Sequence, residues 1–235
     1  MGEVIQSFTS LPPEVWQSLR LTLRLAAVVT VILLAVGVPI AWWISSSRWR
    51  GIAVIEAVIG LPIVLPPTVL GFYLLALFAP DTLPGRLWFQ VSGDTLAFSF
   101  SGLVLGSVFY SLPYAVQPLV SSFRGVPQTY LDAATNLGSG RWTTFRRIVL
   151  PLSGRGLGVA AMLSFAHTVG EFGIVVMLGG SVPGKTRVAS IALYDEVQKL
   201  NYPAAHALAL VLLLMSFVVL LGMTLLQRRK NESKS

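Results

Sequence analysis

The run Gly179-Gly-Ser-Val-Pro-Gly184-Lys185-Thr186 has the spacing of a phosphate-binding loop, G-x-x-x-x-G-K-[ST]. In such a loop, backbone N–H groups and the lysine cradle a nucleotide triphosphate. Asp195 and Glu196 follow an apolar stretch, in the manner of acids that hold magnesium. Glu171 and His167 stand four residues apart in an apolar run, the spacing of an acid and a base on one helical face. Inside a membrane such a pair would suit a proton relay. The stretch Tyr130–Pro151 is the only long polar, basic segment, and it carries Arg141, Arg146 and Arg147 among small and aromatic residues. Those types suit docking of another protein rather than catalysis. The chain has no cysteine, which excludes thiol chemistry and disulfides, and His167 and His206 lack metal-ligand spacing.

What these groups can do depends on the elements that carry them. Of 235 residues, 54% are hydrophobic and 11% charged, against roughly 25% charged in a soluble domain. Several apolar runs approach the ~20 residues that cross a bilayer as a helix. The chain therefore reads as an all-α integral membrane protein with five transmembrane helices, at about 19–44, 52–79, 96–120, 156–178 and 204–226. Residues 1–17 read as an outer segment, helical from Glu14, and 227–235 as a basic tail. Residues 80–95 and 179–203 read as polar loops, the latter with a short helix. In the second span, Leu61-Pro-Ile-Val-Leu-Pro-Pro67 places Pro62, Pro66 and Pro67 together. Prolines lack the backbone donor and clash with the preceding turn, so this helix must bend or break. Irregular backbone at membrane depth survives only against protein or a wet cavity, and a broken helix can aim free N–H groups at an anion. The break is thus a gate candidate.

The elements also refuse the phosphate-loop reading. That loop needs a strand before it and a parallel sheet around it. Here a membrane helix precedes it, and Asp195 follows Thr186 by only nine residues. Glu171 falls within the fourth span, where a charge costs roughly 2.5–3.5 kcal/mol on insertion scales. It must face the protein interior or the outer interface. The expected partners are Arg20, Arg24 or backbone donors freed at the proline break. Glu171 is read as a structural anchor or a gate element. The small residues Gly154, Gly156, Gly158, Ala160 and Ala161 suit close helix packing.

The net charge of +7 is distributed along short loops, where it reports topology rather than nucleic-acid binding. With five spans, eleven basic residues fall on one side (Arg48, Arg50, Arg124, Arg141, Arg146, Arg147, Arg155, Arg228, Arg229, Lys230, Lys234) and six on the other. The richer side is expected to be cytoplasmic, with the amino terminus outside and the carboxyl terminus inside. In the cytoplasmic segment 125–151, Leu131–Leu137 is predicted as a short helix and Gly138 and Gly140 as a turn. Trp142–Val149 is predicted as a second helix stopped by Pro151. This elbow presents Arg141, Trp142, Phe145 and Arg146 as a docking surface.

The spacing through Asp132, Ala133, Ala134, Gly138, Ile148, Leu150 and Pro151 resembles the EAA loop of ABC-importer permease subunits, with Asp132 where that family usually has Glu. Leu61–Gly71, Val169-Gly-Glu-Phe-Gly173 and Pro183-Gly-Lys-Thr-Arg187 look like segments of molybdate permeases, which carry Glu where Lys185 stands. The likeness covers nearly the whole chain. It implies the type I ABC importer permease fold in a bacterial inner membrane, and transport of molybdate or tungstate, with a sulfate-type permease as the alternative. It implies that the seven elbow residues couple to cytoplasmic ATPase subunits. ATP and magnesium would be bound on those partners, with no cofactor, metal or catalytic group on this chain. It also implies pairing with a second copy and delivery of the oxyanion by an extracytoplasmic binding protein. An ion-coupled transporter using Glu171 and His167, and a membrane-bound nucleotide hydrolase using Gly179–Thr186, are the rival readings. The ion-coupled reading leaves the elbow unexplained.

Overall fold

The computed structural model describes residues 13–228. The first twelve residues of the expected outer segment and the basic tail beyond Arg228 lie outside the described residues.

Helix α1, Pro13–Ser46, has Glu14 in its first turn, where a carboxylate complements the helix dipole. Its buried stripe, Leu25, Val29, Leu33, Gly37 and Ala41, recurs every four residues. At ~1.5 Å per residue α1 is longer than a ~30 Å hydrocarbon core, so its ends project beyond it. Helices α2, Ile52–Val64, and α3, Pro67–Leu77, meet at 109°. Leu65 and Pro66 are extended, with ψ of 136° and 131°, as a residue before proline prefers. The prolines at 66 and 67 leave no backbone donor to continue the ladder.

Helix α4, Leu83–Ser92, corrects the expectation of a plain polar loop over 80–95. Asp81, Thr82, Asp94 and Thr95 flank it, while Arg86 and Gln90 lie on the helix itself. Thr82 Oγ1 accepts from the Gly85 N–H at 3.2 Å, and Gly93 closes the helix at φ +72°. Helix α5 runs Phe100–Arg124, four residues further along than the expected span. Ser99 Oγ caps it by accepting from the Gly102 N–H at 3.1 Å. It carries Pro113 and Pro118 without ending, which membrane helices tolerate when neighbours satisfy the freed groups.

After α6, Gln128–Asn136, the segment Arg141–Leu152 forms α7, which meets α8, Gly154–Gly170, at 71°. The expected single fourth span, 156–178, is therefore corrected. Its helix stops at Gly170, Glu171 and Phe172 are non-helical, and α9 resumes over Gly173–Gly179. Helices α10, Ala189–Gln198, and α11, Tyr202–Arg228, complete the chain. Among the described residues three helices are long and apolar enough to cross a membrane, and five if each of two bent pairs is one span. The second pair is α7 with α8, not α8 with α9.

Among the described residues the interior has two larger apolar layers stacked along α1 and α5, and a smaller cluster of Val15, Leu19, Ala189, Ala192 and Leu208. One layer holds Leu25, Leu33, Leu103, Ile174, Leu178 and Ile191. The other holds Ile44, Val116, Leu119, Phe123, Phe145 and Val149. In lipid, helices associate by close packing at small residues rather than by escape from water. Gly156 lies against Ser122, Gly106 against Leu178, and Gly71 against Met177, each too close for an added Cβ without displacement. Ala160 is fully buried, whereas Gly154 faces open space.

Candidate functional site

The elbow begins where Pro127 starts α6 after α5 ends at Gly125. Its reversal rests on Gly138, at φ +71°, a conformation that costs a residue with a Cβ roughly 1–2 kcal/mol. The Gly138 N–H donates to the Thr135 carbonyl and the Ser139 N–H to the Ala134 carbonyl, both at 2.9 Å. Ala134 is buried, while Asp132, Ala133 and Gly138 face outward with Tyr130, Leu137 and Trp142. Asp132 Oδ1 accepts from Gln128 Nε2 at 2.9 Å, one turn back on α6.

Two expectations about the elbow are corrected. Pro151 does not stop a helix. The chain widens into a π turn over Phe145–Val149, with the Leu150 N–H donating to the Phe145 carbonyl, and helical backbone continues to Leu152. Widening before a proline relieves the clash its ring makes with the preceding turn. Phe145 is not docking surface either. It is 4% exposed, stacked on Trp42 of α1 at 4.4 Å and edge-on to Phe123 of α5 at 5.8 Å. It therefore rivets the elbow to two membrane helices, leaving Arg141, Trp142 and Arg146 outward. Ile148 and Leu150 are half-buried and Pro151 is exposed.

The gate candidates converge in part. Gly173, just past the α8–α9 break, packs on Pro67, and a Cβ on it would sit 2.5 Å from the proline Cβ. The two helix breaks thus touch at Pro67, one residue past Pro66, while Pro62 stays inside α2. Glu171 is 4% exposed. Its carboxyl reaches neither Arg20, which is exposed, nor Arg24, whose guanidinium lies over the Phe100 ring at 4.8 Å. Nor does it bond the backbone at the proline break. Both carboxyl oxygens and the Ser107 hydroxyl beside it lack an aligned partner among the described residues. The Glu171 carbonyl instead accepts from Ser190 Oγ at 2.6 Å. His167 does not share a helical face with Glu171, because α8 ends between them. Its Nδ1 is hydrogen-bonded with Ser111 Oγ at 2.9 Å and its ring stacks on Tyr114 at 3.9 Å.

The phosphate-loop pattern has internal uses. Helix α9 precedes it and α10 follows, with no strand among the described residues. Thr186 is buried. Its hydroxyl donates to the Gly179 carbonyl at 2.6 Å and accepts from the Val182 N–H at 3.2 Å. Lys185 is exposed. Sequence reasoning missed the neighbouring Arg187, whose side chain is 9% exposed. It lies 3.2 Å from Glu14, 3.0 Å from Asp195 and 3.4 Å from Glu196. The Asp195 contact is an ion pair without hydrogen-bond alignment. Opposite charges in segments outside the long apolar runs were the available signal, but Glu14 lies 173 residues from Arg187. The hydrogen bond from Lys199, with help from Asn201 and Arg187, holds the Glu196 carboxyl below the usual carboxylate range against partial burial. Beside this cluster, Thr22 Oγ1 of α1 accepts from the Ala189 N–H at 2.8 Å. This supplies α10 with the cap that Val188 lacks.

The family of binding-protein-dependent transport system inner membrane components matches residues 34–232. The chain is 49% identical to the molybdenum transport system permease protein ModB of Azotobacter vinelandii over 206 residues, covering 88% of this chain and 91% of that protein. It is 31% identical to the sulfate transport system permease protein CysT of Escherichia coli K12, covering 92% and 78%. A bacterial alginate ABC transporter, crystallised with an alginate pentasaccharide-bound periplasmic protein, superposes with a TM-score of 0.75 at 16% identity over 94% of this chain and 82% of that one. The fold is that of an ABC importer permease. With this match along most of its length, the chain belongs to the binding-protein-dependent transport system inner membrane component family.

Proposed function

We propose that the chain is the membrane subunit of an ATP-driven importer that carries molybdate into the cytoplasm, with tungstate as the chemically nearest second substrate. The elbow is the observation that carries this reading. It displays Ala133, Leu137, Gly138 and Trp142 outward while Phe145 ties it to α1 and α5. A push received there is delivered to two membrane helices. Asp132, Ala133, Ala134, Gly138, Ile148, Leu150 and Pro151 form the segment that meets the partner ATPase, which holds ATP and magnesium. The contact of Pro67 with Gly173 joins the two helix breaks, and their parting is the proposed gate motion. Two copies complete the pore about a two-fold axis, and an extracytoplasmic binding protein loads it. The elbow end is cytoplasmic on the eleven-to-six division of basic residues.

The substrate rests on the near-half identity to a permease named for molybdenum transport. The weaker likeness to a sulfate permease keeps sulfate as the second reading. Uptake of labelled molybdate is measured in cells lacking this chain and in cells with it restored. Restored uptake that yields to excess tungstate but not to sulfate supports molybdate. Uptake abolished by sulfate moves the assignment to sulfate, and no restoration overturns both.

A further inference from the structure

Between α1, α2 and α5, on the elbow side of the proline break, lies an open cavity of about 400 Å³. Ile44, Ile59, Val116 and Val120 supply its apolar wall. Its polar wall is Gln117, Ser121 and Arg124 of α5, facing Glu56 of α2. The three α5 residues fall at positions i, i+4 and i+7, one face of a helix. All three are exposed. Arg124 pairs with Glu56, the two side chains being 50% and 39% exposed. Among the described residues the side chains of Gln117 and Ser121 have no hydrogen-bond partner. The Gln117 amide lies beside Gly60, its nitrogen in ordinary contact distance, 3.7 Å, of where a Cβ there would stand.

These groups form a donor set with one internal acceptor. A guanidinium presents a planar fork that binds oxyanions through two oxygens. An amide N–H and a hydroxyl on the same helix face add neutral donors. The volume takes a tetrahedral oxyanion with part of its water shell, at about 30 Å³ per water. Glu56 is the one carboxylate in the cavity lining. An ion pair this exposed is weak, so an incoming dianion can displace it.

We propose that Arg124, Gln117 and Ser121 form a transient oxyanion site in the elbow half of the translocation path, with Glu56 as the internal anion that holds Arg124 while the site is empty. Conduction needs binding strong enough to enter and weak enough to leave. A tethered carboxylate that competes for the same guanidinium provides that balance. Displacement of the dianion by Glu56 completes release toward the cytoplasm. This site rests on the oxyanion-transport reading above.

The test uses the purified permease–ATPase complex without its binding protein, and equilibrium dialysis against labelled molybdate. The expected result is weak saturable binding that tungstate competes away. Arg124→Gln should weaken it about tenfold or more, and Arg124→Lys should retain part of it. Glu56→Gln should tighten binding several-fold while lowering the maximal rate of uptake. Co-purification with the ATPase checks assembly of each variant. If Arg124→Gln does not assemble, Gln117→Leu and Ser121→Ala decide, and unchanged affinity in both overturns the site. Wild-type affinity in an assembled Arg124→Gln complex overturns it, as does unaltered or weakened binding in Glu56→Gln. In either case molybdate uptake by wild-type cells leaves the transport reading standing. Absence of that uptake overturns the transport reading itself.

Discussion

Gly138 sets the shape of the elbow through one backbone angle. Its φ of +71° is open to glycine, and no atom lies within 4 Å of where a Cβ would point. Gly138→Ala should therefore cost only the conformational term, about 1–2 kcal/mol, seen as a modest fall in thermal midpoint with membrane insertion intact. Gly138→Trp adds bulk to the outward surface. It should abolish co-purification with the ATPase while the chain still inserts, and normal co-purification would remove the coupling assignment. Arg187 works at the same scale but at the opposite end of α1. Replacing it with Ala leaves Asp195 without its cation and Glu196 with Lys199 alone. Loss of a largely buried partner costs about 3 kcal/mol, and Glu14 adds little because its side chain is 69% exposed. A lower midpoint in Arg187→Ala, largely restored in Arg187→Lys, is the expected pattern.

The two helix breaks have different physical origins. Between α2 and α3 the break is local, because Pro66 and Pro67 cannot donate and the residues before them prefer extended backbone. Between α8 and α9 no proline interrupts the helix. There Ser190 Oγ donates to the Glu171 carbonyl, and Gly173 admits Pro67. Gly173→Leu should push α3 away from α9. The expected outcome is lost molybdate uptake with ATPase co-purification retained, because the elbow is untouched. Loss of co-purification as well would mean that the contact supports the whole fold rather than the gate. The elbow's attachment is likewise an element-scale device. Phe145→Ala removes a ring stacked on Trp42 and should destabilise by about 3–5 kcal/mol, read as a fall in thermal midpoint.

Across the whole molecule, α1 joins the ends. Thr22 caps α10 at one end and Trp42 holds the elbow at the other. The Arg187 cluster confers a pH dependence whose sign follows from Glu196. Its folded pKa lies below the unfolded value, with the Lys199 hydrogen bond as the largest cause. Its contribution to stability is full above the ordinary carboxylate range and is lost as pH falls through the lower folded value. The thermal midpoint should hold steady down to that range and then fall, more shallowly in Glu196→Gln. A wild-type slope in that variant would show that other groups carry the acid loss.

The sequence by itself determined the apolar runs, the proline break and the turn at Gly138. Each depends on a property carried by a few neighbouring residues: the length of an apolar stretch, a missing N–H, a missing Cβ. Tertiary structure alone decided that α8 stops at Gly170 and that Phe145 faces inward. It also decided that Arg187 gathers Glu14, Asp195 and Glu196. These features are set by groups distant along the chain: Ser190 and Pro67, Trp42 and Phe123, and an acid on the first turn of α1. Local spacing placed Glu171 and His167 on one face, and long-range packing separated them. Backbone hydrogen-bonding capacity and glycine's freedom are local, whereas which side chain fills a given space is decided only when the helices meet.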